Sequence, residues 1–222
     1  MVSPEEVEGF LRTAFGFPPD TELRAEDRRK ALQVAALLGE IERVARGGRE
    51  RTLVDLGCGH AYVGLAAAAL LGGARLHVTG VDREPARIRR CEEAAARLGV
   101  KADLRVGEIG VTPIPPEPDI VVALHACGRA TDDAIGSATS AAARHVLLVP
   151  CCHRGGELRV PRLGVLEALR RRAEEDIARA RRLETAGYEV VATEIWPASV
   201  SPANVLLRAR RTTSAVTRTA PG

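Results

Sequence analysis

Three stretches of this 222-residue chain combine residue types that bind small molecules or move protons. The first, Thr52-Leu-Val-Asp-Leu-Gly-Cys-Gly-His-Ala61, carries an apolar run into Asp55 and then into a turn with Gly57 and Gly59. Glycines there let the backbone turn tightly and approach a ligand, and a helix starting behind the turn favours negative charge. The second, Ala123-Leu-His-Ala-Cys-Gly-Arg-Ala-Thr-Asp-Asp133, and the third, Val149-Pro-Cys-Cys-His153, concentrate His, Cys and Asp. His153, Asp132 and His125, with His153 preferred, are the candidates to take a proton from an acceptor hydroxyl or amine. Cys151 or Cys152 beside His153 has the composition of an activated nucleophile. Zinc is the other sharp reading, through Cys127, Cys151 or Cys152, His125 and His153. Adjacent cysteines at a strand end point to opposite faces, however, and no Cys-x-x-Cys spacing occurs. Small cysteines packed around a ligand are therefore the reading adopted, and no metal is expected.

These stretches need a scaffold that brings them together. From residue 51 onward, short apolar runs alternate with helical segments, the signature of a parallel βαβ sheet. Strands are expected at Thr52–Leu56, Arg75–Val81, Ala102–Val106, Asp119–Leu124, His145–Val149, Tyr188–Ile195 and Val205–Arg210. Helices fit at Tyr62–Leu71, Pro85–Leu98, Ala130–Ala143 and Leu163–Ala186. Trp196–Asn204 is too short for a helical crossover, so the seventh strand should run antiparallel beside the sixth. Before this core, Ser3-Pro-Glu-Glu opens one helix that Gly16 and Pro18-Pro19 stop, and Ala25–Arg46 forms a second. The expected organisation is a helical cap over 1–50, an α/β domain over 51–211 and a disordered tail over 212–222. Phe10, Phe15 and Phe17 are expected to pack the cap down.

Two cofactors suit the glycine turn. A dinucleotide fingerprint wants Gly-x-Gly-x-x-Gly, but after Gly59 the next glycine, Gly64, comes two positions late. Asp55 also suits a cationic group better than a pyrophosphate, as in S-adenosylmethionine enzymes. Asp82, ending the second strand, would accept both ribose hydroxyls. Glu108 would approach the adenine, with Ile109 as its apolar neighbour. Asp55, Gly57, Cys58, Gly59, His60, Asp82, Arg83, Glu108, Ile109 and Leu124 make up the expected cofactor shell.

Leu124-His-Ala-Cys-Gly-x-Ala-Thr-Asp132 followed by Pro150-Cys-Cys-His153 resembles bacterial members of a broad methyltransferase-domain family. It is also similar to the catalytic domain of eukaryotic tRNA ribose 2′-O-methyltransferases. The resemblance spans roughly Ala25 to Arg210, including Ser201-Pro-Ala-Asn-Val-Leu-Leu. It implies a Rossmann-like class I fold, a seven-stranded mostly parallel sheet with the last strand antiparallel. It further implies S-adenosylmethionine as cofactor and in-line methyl transfer, with RNA favoured as acceptor. A small-molecule or protein acceptor, or a catalytically inactive partner subunit, is the alternative.

Composition sets the remaining bounds. With 32 basic and 29 acidic residues the net charge is +3, too small to declare a nucleic-acid or membrane partner. Aromatics are 3% of the chain, which argues against a broad base-stacking platform. No apolar run reaches a membrane span, and five cysteines without an export signal fit a reduced, cytoplasmic setting.

Overall fold

The computed structural model describes residues 1–18, 20–45, 49–72, 75–126, 128–150 and 164–212. Seven strands, β1 (Arg51–Leu56), β2 (Leu76–Asp82), β3 (Ala102–Val106), β4 (Ile120–Leu124), β5 (His145–Val149), β6 (Tyr188–Glu194) and β7 (Val205–Arg211), form one sheet. Their order is β3-β2-β1-β4-β5-β7-β6, with β7 antiparallel to both neighbours. The expected seventh strand thus pairs with the sixth as read, and it also inserts beside β5, which leaves β6 at the edge. Among the described residues six helices accompany the strands: α1 (Pro4–Phe15), α2 (Ala25–Val44), α3 (Tyr62–Ala67), α4 (Pro85–Leu98), α5 (Arg129–Ser140) and α6 (Gly164–Thr185). After Ala67 the helix expected to reach Leu71 widens into a π-helical turn, Ala68–Gly72.

Strand alternation divides the interior in two. Leu53, Val78, Ile120, Val122, Leu147 and Leu206 face one side, and Val54, Leu56, Val81, Val121, Val146 and Leu148 face the other. The first side is covered by α1 to α4, the second by α5 and α6. Val7, Phe10, Val34, Leu38 and Ile41 share one continuous core with the sheet, so α1 and α2 complete a helical layer. Arg208 of β7 pairs with Glu40 of α2 at 2.9 Å, and Arg97 of α4 donates to the Ala14 carbonyl at 2.9 Å. Phe10 is buried as expected, whereas Phe17 is 36% exposed. The expected disorder of the tail concerns residues almost wholly outside those described.

At the opposite end of the sheet from the glycine turn, Asp119 ties β1 to β4. Its carboxylate accepts from the Thr52 N–H at 3.1 Å and lies against the Arg49 and Arg51 guanidiniums. The Thr52 hydroxyl in turn accepts from the Asp119 N–H at 2.9 Å. Asp119→Ala would strand these donors in a largely buried position, and a loss of about 2–4 kcal/mol is expected in urea unfolding.

Candidate active site

The strand order reverses direction between β1 and β4, and an open α/β sheet has its ligand crevice there, beyond the carboxyl ends of the strands. A cavity of about 610 Å³ lies in that place, bounded by Gly57, Asp82, Arg83, Arg87, Glu108, Ile109, His125 and Arg129. Its volume is within the range of small-molecule sites.

The glycine turn forms one wall. Gly57 has φ +67° and Gly59 +59°, and both the Gly57 and Cys58 N–H groups donate to the Val81 carbonyl, at 2.9 and 3.0 Å. A Cβ at Gly57 would sit 3.2 Å from the Ile109 Cδ1. The turn therefore needs glycine twice over, for its left-handed backbone and for the close approach of Ile109. Gly57→Ala is expected to cost about 1–2 kcal/mol of stability, read by thermal melting, and to weaken any ligand in the cavity.

Asp82 is 5% exposed and joins two loops. One carboxylate oxygen accepts from the Gly59 N–H at 2.9 Å, the other from the Glu84 N–H at 2.9 Å, and Arg87 lies 3.8 Å away. Asp55 lies below the turn and is 2% exposed; it does not line the cavity. Its Oδ2 accepts from the Gly64 N–H at the start of α3, 2.9 Å away. Burial pushes the Asp55 carboxyl up to about 7, against the Gly64 bond and with help from the nearby Asp82 charge.

Other expected shell residues fall elsewhere. Arg83, Glu108 and Ile109 line the cavity, but Leu124 lies half-buried at the end of β4, behind it. The Cys58 side chain points into the core, where hydrogen bonding to Cys91 and burial push its thiol strongly up. His60 packs on the rings of Phe15 and Tyr62 at 6.1 and 5.5 Å, facing α1. Burial and the charges of Arg87 and Arg90 lower its pKa.

The proton-acceptor candidates divide similarly. His125 reaches the cavity wall with φ +60°, its N–H donating to the Val149 carbonyl at 3.0 Å. Its Nε2 is 3.0 Å from the Oε1 of Gln33 on α2, and its ring lies 6.2 Å from that of Trp196. Burial and the Lys30 charge push the imidazole down to about 4, so it is neutral at pH 7. Asp132 departs from its expected place. It faces α6, 3.1 Å from Arg182 and 3.6 Å from the buried Arg179, and does not line the cavity. A carboxylate held between two guanidiniums anchors helices and is poorly placed to take a proton. His153 lies outside the described residues, as do Cys127, Cys151 and Cys152. Among the described residues no three His, Cys, Asp or Glu side chains gather to hold a metal ion. Sequence reasoning did not find Arg87, Arg129 or Gln33, because their approach depends on helix packing that no local pattern encodes.

The sequence matches the family described as a methyltransferase domain over residues 29–157. The chain belongs to that family. It is therefore an enzyme domain of the methyltransferase class, on the fold that the sheet order shows. No curated protein matches it. Among solved structures, it is similar to magnesium protoporphyrin IX methyltransferase from Synechocystis PCC 6803 with bound S-adenosylmethionine, at 14% identity and a TM-score of 0.57. That match covers 92% of this chain and 90% of the other. A ribosomal protein L11 methylase from Lactobacillus delbrueckii shares 17% identity over 84% of this chain and 80% of its own, with a TM-score of 0.52. The tRNA (uracil-54, C5)-methyltransferase of Pyrococcus abyssi shares 16% over 81% of this chain and 38% of its own, at 0.50. The names of these three proteins point to magnesium protoporphyrin IX, a ribosomal protein and a tRNA, so the shared fold leaves the acceptor open. Among the described residues, no helix is long and apolar enough to cross a membrane.

Proposed function

We propose that this chain transfers a methyl group from S-adenosylmethionine to an RNA acceptor by in-line displacement. The observation that carries the cofactor is the cavity at the β1/β4 switch, where a buried Asp82 stands beside a glycine turn. There Asp82 accepts hydrogen bonds from ribose hydroxyls, Glu108 approaches the adenine and Ile109 offers it an apolar face. Gly57 lets the backbone close on the ligand without a side chain between. The bound cofactor supplies a methyl group already activated on a sulfonium.

The chain's own share is positioning and proton removal. His153 is assigned as the proton acceptor, following the sequence. His125, neutral with its pKa pushed down to about 4, shapes the cavity wall. RNA is favoured by the resemblance carried in residues 124–132 and 150–153. Incubation with cofactor labelled in its methyl group and a mixture of cellular RNA, protein and small molecules should put label into RNA. Label in the protein or small-molecule fraction would overturn the acceptor. Cofactor binding without transfer to any fraction would favour an inactive partner subunit. His153→Ala should slow transfer at least about tenfold.

A further inference from the structure

Beside the cavity, residues 83–90 carry Arg83, Arg87, Arg89 and Arg90 against the single acid Glu84. Among the described residues Arg83, Arg89 and Arg90 have no carboxylate partner. Helical spacing puts Arg87 and Arg90 on one flank of α4, together with Arg97, which reaches across to α1. On this flank the rings of Phe15, His60 and Tyr62 meet, with centroids 5.2 Å apart for Phe15 and Tyr62. All three are half-buried. A chain with only three Phe, two Tyr and one Trp thus gathers two of them, with a histidine, next to the glycine turn.

We infer that this flank, Arg87 and Arg90 with the rings of Phe15, His60 and Tyr62, continued around the exposed side of α4 by Arg89, is a docking track for single-stranded RNA leading into the cavity. Arg89 and Arg90, without carboxylate partners among the described residues, neutralise phosphates, and the exposed parts of the nearby rings accept stacked bases. Burial, and after it the charges of Arg87 and Arg90, lower the His60 pKa from its ordinary value, which favours the neutral ring for stacking. An acidic peptide would use the arginines but has no need of the rings. The inference rests on the reading of an RNA acceptor and gives that acceptor its path.

The test is fluorescence anisotropy with a labelled mixed-sequence RNA of about 12 nucleotides, at about 50 and 200 mM salt. S-adenosylhomocysteine binding is measured on the same samples. Arg89→Glu/Arg90→Glu places acidic residues in the first half of α4 at two exposed positions and should leave folding and cofactor binding intact. It is expected to weaken RNA at least about tenfold and to flatten the salt dependence. Tyr62→Leu, which keeps apolar packing, should weaken RNA about three- to tenfold. Arg181→Glu on α6 serves as the control and should change RNA affinity less than about twofold. Equal losses for the α4 and α6 variants overturn the track, as does a wild-type chain that binds S-adenosylhomocysteine but no RNA. Displacement of the RNA by polyglutamate of equal charge at equal concentration overturns the stacking part. RNA binding sensitive to Arg89 and Arg90 without cofactor binding would uphold the track and count against the cofactor reading instead.

Discussion

Asp82→Ala should weaken S-adenosylhomocysteine binding by at least about 100-fold, equivalent to roughly 2.7 kcal/mol. Hydrogen bonds to a charged group contribute about 1.5–3 kcal/mol each. The substitution removes the proposed acceptor for the ribose and also frees the Gly59 and Glu84 N–H groups that hold the turn. Asp82→Asn keeps one oxygen acceptor and should fall between, at about tenfold. Calorimetric titration of variants shown to be folded by circular dichroism reads both. An Ala variant that is folded and binds within threefold of wild type would remove Asp82 from the site.

The second large effect concerns Asp55 and pH. Its carboxyl stands at about 7 in the folded chain, against 3.8 ordinarily. The folded state therefore holds a proton that the unfolded state has released anywhere between those values. Asp55 then favours folding fully below about pH 4, and this contribution is lost as pH rises toward 7. At 1.36 kcal/mol per pH unit the full span amounts to about 4 kcal/mol. Asp55→Asn keeps an oxygen for the Gly64 N–H and removes the charge. Urea unfolding of the two proteins between pH 4 and 8 should show the wild type losing roughly 2–4 kcal/mol relative to the variant. Parallel curves would mean that Asp55 does not titrate in this window.

Much of this architecture is legible in the chain itself, and particular residues show where legibility stops. The strand ends hold because each is written locally: Gly57 follows β1 directly, Asp82 ends β2 and Gly107 follows β3. The antiparallel seventh strand follows from the brevity of Trp196–Asn204 alone. The helical layer is different. α1 and α2 read as amphipathic helices, but only tertiary packing shows that Leu37, Leu38 and Ile41 lie against the sheet rather than over the crevice. Asp132 has the composition of a site residue within its motif, yet the face of α5 it occupies turns it to Arg179 and Arg182 on α6. His60 follows Gly59 of the glycine turn, and the left-handed Ala61 after it accompanies a turn of the chain toward α1. Gln33 sits 92 residues from His125 in the chain, and no spacing rule links a helix amide to a strand-end histidine at that distance.

The cofactor is the claim on which the rest depends, and calorimetric titration of the folded protein tests it most directly. S-adenosylhomocysteine and NAD are titrated in parallel. Micromolar, one-to-one binding of S-adenosylhomocysteine with no heat from NAD is the predicted result. Binding of NAD, or of neither ligand by a folded protein, would contradict the account.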